Sequence, residues 1–267
     1  MTINARSFKE LSGAMTLEGK RGLIVGIAND HSIAWGCARA CHALGARLAI
    51  TYLNEKARPH VAPLAEEVEA EHLLPLDLRI DGQIDHVFET LEASWGQLDF
   101  VVHSVAYAPL DDLRGRLVDC SEAGFLDAMA LSCYSFIALC KRAEPLMHDG
   151  GSLFTMTYHG SQQVVEGYHV MGPVKAALEA ATRSMAAELG PKGIRVHALS
   201  PGPMPTRAAS GLSHFDSLLQ EASNRSPSRE MADVDDVGMT MAYLATDAAR
   251  MLTGDALYVD GGVHLVS

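Results

Sequence analysis

RGLIVGIANDHSIAWGCARACHALGARLAITY, residues 21–52, decides the fold. RGLIVGI (21–27) is a short, β-branched apolar run. SIAWGCARACHAL (32–44) reads as a helix, and RLAITY (47–52) is again short and apolar. A strand with no polar alternation is buried on both faces, and two such strands joined by a helix pair in parallel. The pattern continues down the chain. A helical stretch near 59–70 precedes HLLPLD (72–77), and a helix near 82–95 precedes LDFVVHS (98–104). A long helix near 121–147 leads to SLFTMTY (152–158), one near 173–189 leads to IRVHALS (194–200), and ALYVDGG (256–262) closes the series. This alternation predicts an α/β fold: a Rossmann-type doubly wound parallel sheet of about seven strands with helices on both faces.

Composition narrows the function. The chain has 267 residues, 48% hydrophobic and 20% charged, with a net charge of −12. With no Lys/Arg cluster, it offers no surface for nucleic acid or an anionic membrane. No apolar run approaches the roughly 20 residues of a membrane span, and MTINARSFKELSG at the N-terminus lacks a signal-sequence core, so the expected location is cytoplasmic. The five cysteines form no C-x-x-C pair and are expected as buried free thiols. The twelve histidines show no zinc spacing, so no metal is expected. No linker or repeat divides the chain, which predicts one domain over 1–267. SPGPMPTRAASGLSHF (200–215) breaks the alternation after a strand, and about 201–224 is a candidate substrate lid.

The turn GIANDHSIAWG (26–36) has the spacing Gly26-x5-Ser32-x3-Gly36. A glycine turn opening a helix lets backbone amides reach a pyrophosphate, and Ser32 could cap that helix and donate to phosphate, or serve as a plain cap. After the second strand, Leu53 and Asn54 suit neither a ribose hydroxyl nor a 2′-phosphate, while Lys56 and Arg58 lie nearby. Asp77 could accept from an adenine amino group or simply end its strand.

TYHGSQQVVEGYHVMGPVKAAL (157–178) holds Tyr158-x9-Tyr168-x6-Lys175. Seven residues are about two helical turns, roughly 10 Å on one face, so Tyr168 and Lys175 could serve one ligand. Either tyrosine taken alone is more often packing, and it is the joint spacing that points to chemistry. Pro173 fits a helix only in its first turn, which puts Tyr168 where the loop enters the helix.

With these motifs in view, the chain resembles the short-chain dehydrogenase/reductase superfamily, and within it the bacterial enoyl-acyl-carrier-protein reductases, from about residue 16 to the C-terminus. GIANDHSIAWG, VVHSVAYAP, SCYSF, TYHG, YHVMGPVKAALEA, LSPGPMPTRAASG and YVDGG carry the likeness. The superfamily's Tyr-x3-Lys is absent, Met171 standing four before Lys175, and Leu131 stands in place of its helix asparagine. The resemblance implies catalytic roles for Tyr168, on the thioester carbonyl oxygen, and Lys175, on the nicotinamide ribose, with Tyr158 lining the pocket. It implies that Gly26, Ser32 and Ile33 meet the pyrophosphate, and Asp77 and Leu78 the adenine. Ser104, Val105 and Ala106 would meet the ribose side, and Pro203, Met204 and Thr206 the carboxamide and lid. The cofactor implied is NAD, with NADH favoured because no basic residue immediately follows the second strand, and NADPH left open. The partner implied is an enoyl thioester on acyl carrier protein, and the assembly a homotetramer through the helices near 121–147 and 173–189. Ala106, Leu53 and Pro173 depart from the family's pattern, and the Ala106 methyl predicts weak binding of diphenyl-ether inhibitors. Another short-chain reductase of different substrate, or a non-catalytic nucleotide-binding protein, are the competing readings.

Overall fold

The computed structural model describes residues 13–206 and 215–266. Strand β1 (Arg21–Val25) leads to helix α1 (Ile33–Ala43), β2 (Arg47–Tyr52), α2 (Arg58–Glu67), β3 (His72–Pro75) and α3 (Gln83–Trp95). Then follow β4 (Phe100–His103), the short α4 (Leu110–Arg114), and a long helical stretch of α5 (Glu122–Met129), a π turn (Ala130–Tyr134) and α6 (Ser135–Ala143). β5 (Gly151–Met156), α7 (Met171–Leu189), β6 (Ile194–Pro201), α8 (Phe215–Arg225), α9 (Val234–Ala245) and β7 (Ala256–Val259) complete the order.

The seven strands lie in the order β3-β2-β1-β4-β5-β6-β7, every neighbouring pair parallel. The chain winds outward from β1 to β3, then returns to place β4 against β1. That reversal opens a crevice at the C-terminal ends of β1 and β4, where open α/β sheets bind ligands. Both faces of the sheet are buried, which is why its strands lack polar alternation. Leu23 and Val25 pack with Phe88 and Leu91 of α3, Phe136 of α6 and Leu178 of α7. Ile24, on the other face, packs with Ala34, Trp35 and Cys37 of α1 and Val237 and Met241 of α9.

The long helix expected near 121–147 is interrupted. Ser132, in the π turn, accepts from the Tyr107 N–H (2.8 Å) and donates to the Tyr107 carbonyl (2.9 Å). The bulge thereby fastens the loop after β4 to the helix, and such single-turn insertions recur at functional sites. Residues 122–146 are also long and apolar enough to cross a membrane by length and composition, against the expectation that no run reaches that length. Half of this stretch is buried inside the fold, with Phe136, Leu139 and Cys140 in the core, so it serves as a core helix.

Gly36, read from sequence as part of the phosphate turn, has a packing role instead. A Cβ there would lie 1.9 Å from the Val234 carbonyl oxygen, and one on Gly238 would lie 2.2 Å from the Gly36 carbonyl oxygen. The backbones of α1 and α9 touch at this glycine pair, and Arg39 forks onto Asp235 at 3.0 and 2.8 Å beside it. Four cysteines are buried free thiols as expected, while Cys120 is half-buried. Among the described residues no cluster of His, Cys, Asp and Glu could hold a metal. Of the candidate lid, residues 207–214 lie outside the described residues.

Candidate active site

The phosphate end is built on Gly26, whose φ of +114° favours glycine and whose Cβ would lie 2.1 Å from the Ser104 carbonyl oxygen. Only a bare Cα lets β1 leave the sheet so close to the loop after β4. Ser32 occupies the N-cap position of α1 but does not cap it. Its hydroxyl faces back into the turn, accepting from the N–H of Ala28 (3.0 Å) and Asn29 (3.1 Å) and donating to Asn29 Oδ1 (3.2 Å). The expected cap is therefore corrected: Ser32 shapes the turn. The first turn of α1 carries no side-chain cap and no acidic residue, leaving the positive end of the helix open to an anion, with Ile33 at its first position.

On the adenosine side Leu53 is exposed. Asn54 Oδ1 accepts from the N–H groups of Lys56 and Ala57, and Glu55 holds the Tyr52 hydroxyl at 3.0 Å and Arg58 at 3.7 Å. Arg79 forks onto the Asp77 carboxylate at 2.8 and 2.6 Å and holds its pKa below the usual range. The strand-end reading of Asp77 is thus realised: Oδ1 is filled by the Arg79 backbone N–H (3.1 Å) and Nε, and Oδ2 keeps a lone pair for a further donor. Leu78, beside it, lines a cleft of about 250 Å³ that reaches Tyr107, Leu131 and Tyr134.

At the chemical end the two tyrosines come together. The rings of Tyr158, just past β5, and Tyr168, just before α7, meet edge to face with centroids 4.9 Å apart. Gly160 makes room for this, since a Cβ there would lie 2.5 Å from the Tyr168 ring. Tyr158 Oη is buried without a hydrogen-bond partner. Burial pushes the pKa of both phenols up from 10, so both remain protonated donors. His169 has φ of +35°, a left-handed conformation rare outside glycine, where the chain turns into α7. Pro173 lies in the first turn of α7, as its chemistry requires.

Lys175 is only 4% exposed and donates to the Met156 carbonyl at the end of β5 (2.7 Å). Burial lowers its pKa to about 8, against the raising influence of Cys133 and Glu179. Beneath it lies His103 at the end of β4, fully buried, with a pKa lowered by burial and then by Lys175 to about 3. Ser135 spends its one proton on the Leu131 carbonyl (2.7 Å), so it receives the His103 Nε2 proton (2.8 Å) and Thr155 donates to Nδ1 (3.0 Å). His103 is a neutral strut between sheet and π turn. On the remaining wall, Ser104 and Val105 are half-buried and Ala106 is exposed. Pro203 and Met204 are buried, the Met204 side chain in the core, so Met204 offers a ligand its backbone, and Thr206 turns back on it through Thr206 N–H to Met204 O (2.7 Å).

The family model described as Enoyl-(Acyl carrier protein) reductase matches residues 26–264. The chain belongs to the enoyl-acyl-carrier-protein reductase family. It is 44% identical over 251 residues to the enoyl-[acyl-carrier-protein] reductase [NADH] 2 of Rhizobium meliloti, covering 94% of each chain. Among solved structures, the Anaplasma phagocytophilum enoyl reductase in complex with NAD superposes with a TM-score of 0.89 at 44% identity, covering 95% of both chains. The Bacillus cereus enoyl-acyl carrier protein reductase with NADP+ and indole naphthyridinone gives 0.91 at 41%, covering 94% of this chain and 98% of that one.

In this enoyl reductase the sequence reading missed Gly160, Ser132, His103 and Glu179. Gly160 had a visible signal, being the glycine that closes TYHG two residues after Tyr158. The other three act through partners 17 to 52 residues away, and no local pattern marks them.

Proposed function

We propose that this protein reduces the trans-2 double bond of an enoyl thioester on acyl carrier protein, with NADH as reductant, in the last step of fatty-acid chain elongation. The carrying observation is the edge-to-face pair Tyr158 and Tyr168, one hydroxyl buried and unpartnered, with Lys175 buried on the helix that Tyr168 leads into. The residues fit a dinucleotide: a side-chain-free Gly26, an uncapped helix N-terminus with Ile33, and a lysine with two of its three protons left after Met156. When bound, NADH supplies the hydride that adds to C3 of the thioester.

The protein's own groups manage the charge that follows. Negative charge gathers on the thioester carbonyl oxygen, and Tyr168 aims a protonated donor at it while Tyr158 lines the pocket. A fixed donor stabilises developing charge more than mobile water does. Lys175 holds the ribose hydroxyls and adds a positive charge. Gly26, Ser32 and Ile33 shape the pyrophosphate site, Asp77 and Leu78 the adenine end, Ser104, Val105 and Ala106 the ribose side, and Pro203, Met204 and Thr206 the carboxamide end. One domain carries the whole site, with about 201–224 as a substrate lid.

The cytoplasm is the expected location, and a homotetramer the expected assembly. Leu126, Tyr134 and Ile137 of the long helical stretch are exposed, and so are Met239 and Tyr243 of α9. Two separate apolar faces suit the two kinds of twofold interface that a dihedral tetramer needs. The expected α7 face exposes no large apolar residue among those described.

The test is loss of nicotinamide absorbance with purified protein, crotonyl-CoA or a longer trans-2-enoyl thioester, and NADH or NADPH in parallel. Thioester-dependent oxidation of NADH, faster than of NADPH, is expected. Cofactor binding without oxidation would favour the non-catalytic reading, and oxidation driven only by ketones would favour another short-chain reductase.

A further inference from the structure

Glu179 lies one turn beyond Lys175 on α7 and is 5% exposed, yet it touches no cation directly. Three side chains point at it instead. Thr157 Oγ1 (2.7 Å) and Ser161 Oγ (2.6 Å) donate to Oε1, and Gln162 Nε2 (3.3 Å) donates to Oε2. All three donors belong to the turn that carries Tyr158, and they bracket it at 157, 161 and 162. Two hydroxyls and an amide N–H aimed at one carboxyl suit a carboxylate, whose oxygens accept. Burying a charge is costly unless hydrogen bonds and an opposite charge compensate it.

We propose that Glu179 is a positioning residue for the reaction: its buried carboxylate ties the turn carrying Tyr158 to the helix carrying Lys175 and supplies the negative charge that keeps the Lys175 ammonium ionised. The inference rests on the function proposed above and deepens it. The groups that face Lys175 are few: Cys133 from the π turn, His103 from β4 and Glu179 from its own helix. Burial holds the Cys133 thiol above its ordinary pKa, so it is uncharged where Lys175 titrates, and His103 is neutral there. Glu179 is left as the anion of this neighbourhood. Its charge also acts on Tyr168 and on Tyr258 of β7, in both cases favouring the protonated phenol after burial itself. One carboxylate thus favours the protonated lysine and adds to the burial that keeps the phenol protonated.

The two halves of the proposal separate experimentally. Glu179→Gln keeps an acceptor for Thr157 and Ser161, and a flip of the Gln162 amide restores the third bond, so the turn is held but the charge is gone. Its kcat/KM profile should lose activity at a pH lower by about one unit or more than wild type, the size of shift that one opposite charge at close range produces. Ser161→Ala keeps the charge and loosens the turn, so its alkaline limb should stay in place while KM for the thioester rises several-fold. A Glu179→Gln profile superimposable on wild type would overturn the charge role, and a Ser161→Ala variant with unchanged KM would overturn the tie.

A readout without turnover guards against a Gln variant that does not fold. In Lys175→Met the carboxylate has lost its cation, so adding Glu179→Gln should raise the melting temperature of Lys175→Met, and a lower or equal value overturns the pairing. Wild-type protein inert toward every enoyl thioester would overturn the proposed function, yet these melting data would still judge Glu179.

Discussion

Under the proposed function, Tyr168 acts through one proton that burial keeps on its phenol. Tyr168→Phe keeps the ring against Tyr158 and Gly160 but removes the donor. Turnover should fall on the order of 10²-fold, the loss typical of one donor to a developing oxyanion, while the NADH dissociation constant stays near wild type. Stopped-flow turnover beside fluorescence titration of NADH checks both. Under the same reading, Lys175 sets the alkaline side of the profile. Its pKa of about 8 in the cofactor-free protein predicts that kcat/KM declines above pH 8. Stability moves the opposite way: between pH 8 and roughly 10.4, the ordinary lysine value, the unfolded chain binds the proton that the folded one has released, so this residue's contribution to stability rises with pH. Comparing melting curves of wild type and Lys175→Met across that window isolates the effect. Ala106→Gly removes the methyl at the ribose-side wall and should tighten diphenyl-ether binding. Equal affinity of the two forms would clear Ala106 of that role.

At the scale of elements, the contact of α1 with α9 has no slack. Gly36→Ala puts a methyl against the Val234 carbonyl, and the helices must separate to admit it. Overpacking of this kind costs about 1–3 kcal/mol, read as a lower denaturant midpoint, with the NADH site impaired only as far as α1 shifts. This element also shows what sequence can and cannot convey. The strands were legible because each is buried on both faces, and burial leaves its mark residue by residue. The place of Tyr168 just ahead of the helix that carries Lys175 was legible because Pro173 marks the helix start. Gly36 was misassigned because its partner lies about 200 residues along the chain, and a glycine at a turn looks the same whether it admits a phosphate or a helix. Ser32 was misjudged for a related reason: residue type names a hydroxyl, while only the turn geometry says which way it points. The π turn is one extra residue in a helix, and no composition announces it.

For the whole molecule, the exposed apolar side chains of the long helical stretch predict self-association. Tyr134→Glu places a charge at the middle of that face and should convert a tetramer to a smaller species by light scattering, with the monomer fold intact by circular dichroism. The glycine contact between α1 and α9 has a further consequence, for the order in which the protein can be completed as it is made. α1 leaves the ribosome early, yet the surface that covers Ala34, Cys37 and Cys41 is made largely by Val237, Met241 and Ala242. At 5–20 residues per second, the intervening stretch of about 200 residues takes roughly 10–40 s to synthesise. Through that interval α1 can pack on Ile24 and Ile50 of the sheet but lacks its α9 cover, so a stalled or prematurely ended message would release a chain with that apolar flank open.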